Sequence, residues 1–316
     1  MSRLFLFAAP AVRIVSMLRF SEASMIKSGF VERNLRILFP LPALIFIMVM
    51  MLFPVLYTLF LSFTNWNLTA GTPLSFVWLK SYGRVLREPR FLGAIGRTFS
   101  FTLLAVIAET VLGLSLALLL NREFKGKPAM KLILLLPLVA TPVAIGIVWN
   151  LFYDPTIGLM NYALTVFGLP KSAWVSSAET VIPALALVDV WQWTPMITLI
   201  VLSGLAGLSP EPYESARVDG ANGFQIFSNI TLPMIAPTLL TAMILRSIDA
   251  LKTFDIIYAM TGGGPGYASE TLNVMAFKYS FEYFRMGQSS VILVFLFMLV
   301  LLLSMAIMRL RKRFEL

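Results

Sequence analysis

The run from Ser289 to Met308 contains no charged residue and no proline. A helix needs ~20 mostly apolar residues to cross the ~30 Å hydrocarbon core of a bilayer, and this run meets that requirement. Five further segments do so as well: Leu38–Phe63, Phe99–Leu120, Leu132–Phe152, Val181–Leu205 and Ile235–Ile257. Inside hydrocarbon each backbone N–H and C=O must be bonded within its own segment, so spans of this kind are helices. The expectation is an all-α membrane protein with six transmembrane helices. Composition agrees. Of 316 residues 58% are hydrophobic, only 13% are charged, and mean hydropathy is +0.84. A soluble domain is ~25% charged, so a water-soluble or disordered chain is excluded.

Six spans return both termini to one side. Of the 25 Lys and Arg, fifteen lie in the N-terminal tail, the second loop, the fourth loop and the C-terminal tail, and nine lie in the loops of the opposite side. The excess of basic residues marks the cytoplasmic side, so both termini are expected there. The formal net charge of +9 is read as flank charge on a membrane protein and not as a nucleic-acid surface. Met1–Phe20 is apolar but interrupted by Pro10 and Arg13. It reads as an interfacial arginine-rich segment, with a signal peptide or a true start at Met17 or Met25 as alternatives. The expected organisation is an N-terminal segment over 1–37, one six-helix domain over 38–308 and a cytoplasmic tail over 309–316.

The chain has no cysteine and no histidine, which removes disulfides, thiolate nucleophiles, zinc sites of the usual type and histidine-based triads. Gly126-Lys127 is followed by Pro128, and no glycine stands five residues before it, so no phosphate-binding P-loop is present. Gly262-Gly263-Gly264-Pro265-Gly266 is read as a tight turn. No catalytic or metal-ligating set emerges.

Polar groups inside spans are costly unless they face protein or water. Glu109 in the second span, and Asp189 with Gln192 in the fourth, either pair across helices or line a pathway. Trp191 and Trp193 lie two apart on nearly opposite helix faces and read as packing residues. Arg246, Asp249, Lys252 and Asp255 recur every three residues, which predicts one polar stripe of i,i+3 ion pairs facing a translocation cavity or its outer mouth. Arg246, Asp249, Lys252, Asp189 and Gln192 are the candidate pathway residues.

The fourth loop, Ser209 to Pro233, is built as two short helices. Ser209-Pro210-Glu211 predicts a helix start, Gly220 its stop, and Asn222-Gly223 a second start. Glu211, Glu214 and Asp219 against Arg217 give the first helix a negative charge, which suits a protein partner better than an anionic lipid surface. Glu214-Ser215-Ala216, three residues, Gly220, nine residues, then Ile230-Thr231-Leu232-Pro233 resembles the cytoplasmic signature of bacterial binding-protein-dependent ABC importer permeases, with Ser215 where the pattern has alanine. Phe53-Pro54, Ser62-Phe63-Thr64-Asn65-Trp66, Leu136-Pro137, the segment Trp149 to Gly158 with Asn161, and Lys252-Thr253-Phe254-Asp255 running to Gly266 resemble the carbohydrate permeases of the maltose type.

The resemblance implies a permease subunit, not an enzyme by itself, carrying a carbohydrate or related polyol delivered by an extracytoplasmic solute-binding protein. It implies a second homologous permease subunit and ATPase subunits that hold the ATP and Mg, with no cofactor in this chain. It implies a bacterial inner-membrane location among lipid, and no nucleic-acid partner. It gives Glu214, Ser215, Ala216, Asp219, Gly220, Leu232 and Pro233 the role of coupling to the ATPase. The alternative is an ion-gradient-driven secondary transporter, for which a repeat-related pair of broken helices is expected; the sequence displays none. A membrane scaffold would not need Arg246, Asp249 and Lys252 in one span.

Overall fold

The computed structural model describes residues 36, 39–69, 71 and 73–314. The readings of Met1–Phe20 and the start of the first span at Leu38 lie outside these residues. Among the described residues the only β pairing is an isolated bridge between Thr64 and Phe76. The chain divides into two compact units, Met1–Tyr57 and Thr58–Leu316. That helix, α1, runs Leu41–Ser62, and every residue from Leu41 to Tyr57 is exposed. A helix apolar on all faces is stable only in a nonpolar medium.

The second unit is built from α2 (Lys80–Leu86), α3 (Pro89–Asn121), α4 (Lys127–Val139), α5 (Pro142–Phe152), α6 (Leu159–Val166), α7 (Val181–Ala206), α8 (Glu211–Val218), α9 (Gly223–Ile226), α10 (Leu232–Leu251), α11 (Asp255–Thr261), α12 (Leu272–Phe277) and α13 (Met286–Phe314). α1, α3, α7, the continuous segment Gly223–Leu251 and α13 are each long and apolar enough to cross a membrane. α3 has 33 residues, ~50 Å at 1.5 Å per residue, longer than the ~30 Å hydrocarbon core of a bilayer. α13 continues through Phe314, so the expected tail over 309–316 begins as an extension of the last helix.

The third expected span is not straight. α4 and α5 meet at a 101° bend. Ala140 and Thr141 are extended, with ψ of 144° and 142°; Thr141 precedes Pro142, and a residue before proline is pushed out of the helical region. The fifth span also breaks. α10 stops at Leu251, and Phe254, at φ −128° and ψ −53°, precedes α11. The apolar pattern runs through the first break, and at the second Arg246, Asp249, Lys252 and Asp255 interrupt it without marking a stop, so the reading of no broken helices is corrected.

α3 and α7 form the main packed pair, and Gly113 is the reason they approach closely. A Cβ there would lie 2.7 Å from Ile197 Cγ2. Ala117, Ile197, Val201, Leu205, Ile235 and Ala242 carry the contact on to α10. Small residues at such crossings let van der Waals packing act where lipid offers no hydrophobic contrast. A second cluster joins α3, α10, α12 and α13 around Phe91, Leu251, Tyr279 and Val291. The glycine-rich turn is a turn as expected, with φ of 55°, 90° and 61° at Gly262, Gly263 and Gly266. It is tied to α3 through Glu270, whose carboxylate accepts from Arg90 Nε at 3.0 Å and Nη2 at 2.8 Å, while Arg97 Nε donates to the Glu270 carbonyl at 2.8 Å. Asn161 is a buried clamp: its Nδ2 donates to the Pro155 and Ser172 carbonyls, and its Oδ1 accepts from Ser172 N and Trp174 Nε1.

Candidate functional site

Three buried charges from three helices meet between α3, α7 and α10. Arg246 Nε lies 2.6 Å from Glu109 Oε2, and Arg246 Nη2 donates to Asp189 Oδ2. All three side chains are at most 1% exposed. The Arg246–Glu109 approach is a close ion pair without an aligned hydrogen bond, and Glu109 Oε1 and Asp189 Oδ1 have no hydrogen-bond partner. One guanidinium thus serves two carboxylates. Buried charges are costly unless they face opposite charge, and the pairing of Glu109 across helices is realised. The guanidinium also sits 5.3 Å from the Trp193 ring centre.

Beside this cluster is a cavity of about 310 Å³, walled by Asp189, Trp193, Arg246, Asp249, Lys252 and Asp255 among others. Four of the five expected pathway residues therefore meet in one place. Gln192 does not. It is buried, and its Nε2 reaches the Ala140 carbonyl at 3.4 Å, an acceptor released by the bend between α4 and α5. The four residues of the expected stripe do wall one cavity, but not from one helix. Arg246 is buried with its carboxylates, Asp249 and Lys252 form an i,i+3 pair at 3.4 Å with both side chains about half exposed, and Asp255 opens the separate helix α11. The stripe presumed one unbroken helix. Trp191 and Trp193 do face different ways. Trp191 packs edge-on to Trp149 at 5.8 Å, as expected for packing, whereas Trp193 lines the cavity and was missed, because spacing alone does not say which face meets it. Pro142 and Phe254 also line it and were missed with the helix breaks that place them.

Chemically, the residues that line the cavity bring the carboxylates of Asp249 and Asp255, the ammonium of Lys252 and the indole of Trp193. Charged hydrogen-bond partners of this kind bind hydroxyl groups more strongly than neutral ones do.

The fourth loop lies at the other end of α10, a helix of 20 residues and so ~30 Å long. α8 starts at Glu211 with Pro210 at the cap and no side-chain cap bond, so Ser209 does not cap it as expected; the helix begins one residue further on. It ends as expected. Gly220 holds φ +78°, its N–H bonds the Arg217 carbonyl at 3.1 Å, and Ala221 N–H bonds the Ala216 carbonyl at 2.9 Å, a left-handed helix stop. Asn222 then caps α9 reciprocally with Gln225. A π turn, Phe227–Thr231, joins α9 to α10, with Pro233 in the first turn of α10. Tyr213, Glu214, Arg217, Ile226 and Phe227 wall a groove of about 680 Å³ against the ends of α3 and α7. Glu214, Ser215, Asp219, Gly220 and Pro233 are exposed, and Ala216 and Leu232 partly so. Two further residues stand out only in the structure, Val218 and Phe224, at 88% and 76% exposure. Their signal in the sequence was weak: two apolar residues in a polar loop.

A multi-pass helical bundle with a polar cavity at helix breaks, and a stiff exposed two-helix loop at the opposite end of the same helix, has the form of a membrane permease. Residues 109–314 match the family described as binding-protein-dependent transport system inner membrane component, and the chain belongs to that family. It is a multi-pass inner-membrane transport component. Its relatives include the trehalose/maltose transport system permease protein MalF of Thermococcus litoralis, 38% identical over 275 residues, covering 87% of this chain and 92% of that one. The sulfoquinovosyl glycerol transport system permease protein SmoG of Agrobacterium fabrum is 32% identical, covering 88% of this chain and 90% of that one. In fold, the chain is similar to one from the crystal structure of a bacterial alginate ABC transporter in complex with alginate pentasaccharide-bound periplasmic protein, with TM-score 0.77, 20% identity and coverage of 90% and 97%.

Proposed function

We propose that this chain is one permease subunit of an ATP-driven importer for a carbohydrate or related polyol, and that the cavity beside Arg246 is part of its translocation pathway. The observation that carries the reading is the polar cavity itself, walled by Asp189, Trp193, Asp249, Lys252 and Asp255. A polyhydroxyl ligand satisfies such acceptors and donors together, while an apolar ligand would leave them unpaired. The relatives named for trehalose, maltose and sulfoquinovosyl glycerol support the substrate class.

ATP hydrolysis takes place in partner ATPase subunits, which hold the nucleotide and Mg; the lack of a P-loop in this chain supports that division. α8 and α9 dock in the ATPase through Val218 and Phe224, with Glu214 offering a carboxylate at the groove. Ser215 and Ala216 are small enough for close approach, Asp219 and Gly220 set the turn, and Leu232-Pro233 passes the movement to α10. A second, homologous permease subunit completes the pathway, and an extracytoplasmic solute-binding protein delivers the ligand. Both termini and the α8–α9 loop are cytoplasmic, a reading supported by the excess of basic residues on that side.

The test is uptake of labelled trehalose or maltose by cells expressing the chain with its partner subunits. Uptake that persists with a protonophore and collapses on ATP depletion is the expected result. Uptake abolished by the protonophore while ATP stays high would establish the ion-gradient alternative.

A further inference from the structure

A chain of aromatic rings leaves the polar cavity at Phe254. Phe254 stacks on Tyr258 with centroids 5.1 Å apart, Phe277 lies 4.9 Å from Phe254 and 4.8 Å from Tyr258, and Phe281 lies 5.0 Å from Phe277. Phe281 is 62% exposed. Phe254, Phe277 and Phe281 border a second cavity of about 240 Å³, where Asn273 and Ser280 add polar groups. The hydroxyl of Tyr258 donates to Glu282 Oε1 at 3.4 Å. A π turn over Lys278–Glu282 follows Phe277 and carries Phe281, a local irregularity of the kind often found at functional sites.

The two cavities are neighbours. Phe254 walls both, and Asn273 Nδ2, from the second, donates to the carbonyl of Lys252, from the first, at 2.6 Å. Pockets for small molecules run ~300–1,000 Å³ and combine apolar walls with a few placed polar groups. Each cavity alone is at or below the low end of that range; in series they fall well inside it. Their linings differ in a useful way. The first is charged. The second is walled by aromatic rings with an amide and a hydroxyl, a lining that suits a pyranose ring, which has an apolar C–H face and a hydroxyl rim.

We propose that Phe254, Phe277 and Phe281, with Asn273 and Ser280, form a second sugar subsite in series with the cavity beside Arg246, so that the ligand is a disaccharide or longer glycan and not a monosaccharide. This rests on the carbohydrate reading above. The chain has no cysteine, so Ser280→Cys and Thr253→Cys each place a single thiol in it, one per cavity. In the assembled importer, maleimide labelling of each thiol is followed with trehalose, maltose or glucose present at saturation. The expected result is about tenfold slower labelling of Ser280→Cys by either disaccharide and no change by glucose, with Thr253→Cys slowed by the disaccharides. Adding Phe281→Ala to Ser280→Cys should abolish the protection, and Phe281→Trp should keep it. Protection at Thr253→Cys alone would overturn the second subsite and leave the carbohydrate reading intact. Failure of Ser280→Cys to label without sugar would show the cavity covered by another chain and would also overturn it. No protection at either thiol would remove the carbohydrate reading on which it rests.

Discussion

At the Arg246 end of α10 the buried charges are matched inside the chain: one guanidinium holds Glu109 and Asp189, and side-chain amides of Gln192 and Asn273 take up the carbonyls of Ala140 and Lys252 at the two helix breaks. At the Leu232 end, Glu211, Glu214, Arg217 and Asp219 make no ion pair with one another or with any described residue, and Val218 and Phe224 stand almost fully exposed. The difference follows from the medium. A polar group in hydrocarbon with no partner costs several kcal/mol, so that end is largely partnered from within, although Glu109 Oε1, Asp189 Oδ1 and Gln192 Oε1 have no hydrogen-bond partner. A loop in water carries no such penalty and can leave its groups for another chain. Exposed apolar side chains on a rigid loop have the character of interface anchors.

The largest effect is expected where a buried charge loses its partner. Arg246→Met leaves two carboxylates uncompensated, a loss of roughly 3–5 kcal/mol for a broken buried pair. Thermal unfolding of the detergent-purified chain should show a large drop, which Glu109→Gln with Asp189→Asn in the same chain should partly restore. A drop without restoration would mean that Arg246 acts through packing. Next is the helix crossing. Gly113→Leu forces a side chain into Ile197 and should cost about 1–3 kcal/mol as overpacking, whereas Gly96→Leu on the same helix, where a Cβ would meet nothing within 4 Å, should change stability by under ~0.5 kcal/mol. Equal effects would refute close α3–α7 packing as the cause.

The smaller effects belong to the loop. Gly220→Val forces a β-branched residue to φ +78°, a strain of about 1–3 kcal/mol that redirects the path from α8 to α9. The chain should still insert, while recovery of the ATPase on co-purification and uptake should fall together. Glu214→Ala should move thermal stability by no more than ~0.5 kcal/mol and reduce ATPase recovery more mildly. Normal recovery in both variants would make the loop an ordinary connection.

The spans were legible because a charge-free run such as Ser289–Met308 has one physical use. The loop was legible because its punctuation is local: Gly220 and Asn222 act through their own backbone and side chain, and the structure shows both doing so. The helix breaks were not legible from hydropathy, which is blind to direction. Thr141-Pro142 did carry a signal, since the residue before proline leaves the helix, but no glycine or proline marks the stop at Leu251. That stop is what divided the expected stripe of Arg246, Asp249, Lys252 and Asp255. Partners for Glu109, Asp189 and Arg246 were also out of reach, because the ion cluster joins residues far apart in sequence through a crossing that depends on Gly113 and its neighbours.

The central claim is that the α8–α9 loop meets an ATPase on one side of the membrane while the cavity end of α10 opens on the other. Single cysteines at Val218 and Tyr267, both exposed, test it in one preparation of the assembled transporter. Val218→Cys should form a bis-maleimide cross-link to the ATPase subunit and resist a membrane-impermeant maleimide added outside intact cells. Tyr267→Cys should react with that reagent from outside and give no cross-link to the ATPase. A cross-link from position 267, or external labelling at position 218, would contradict the account.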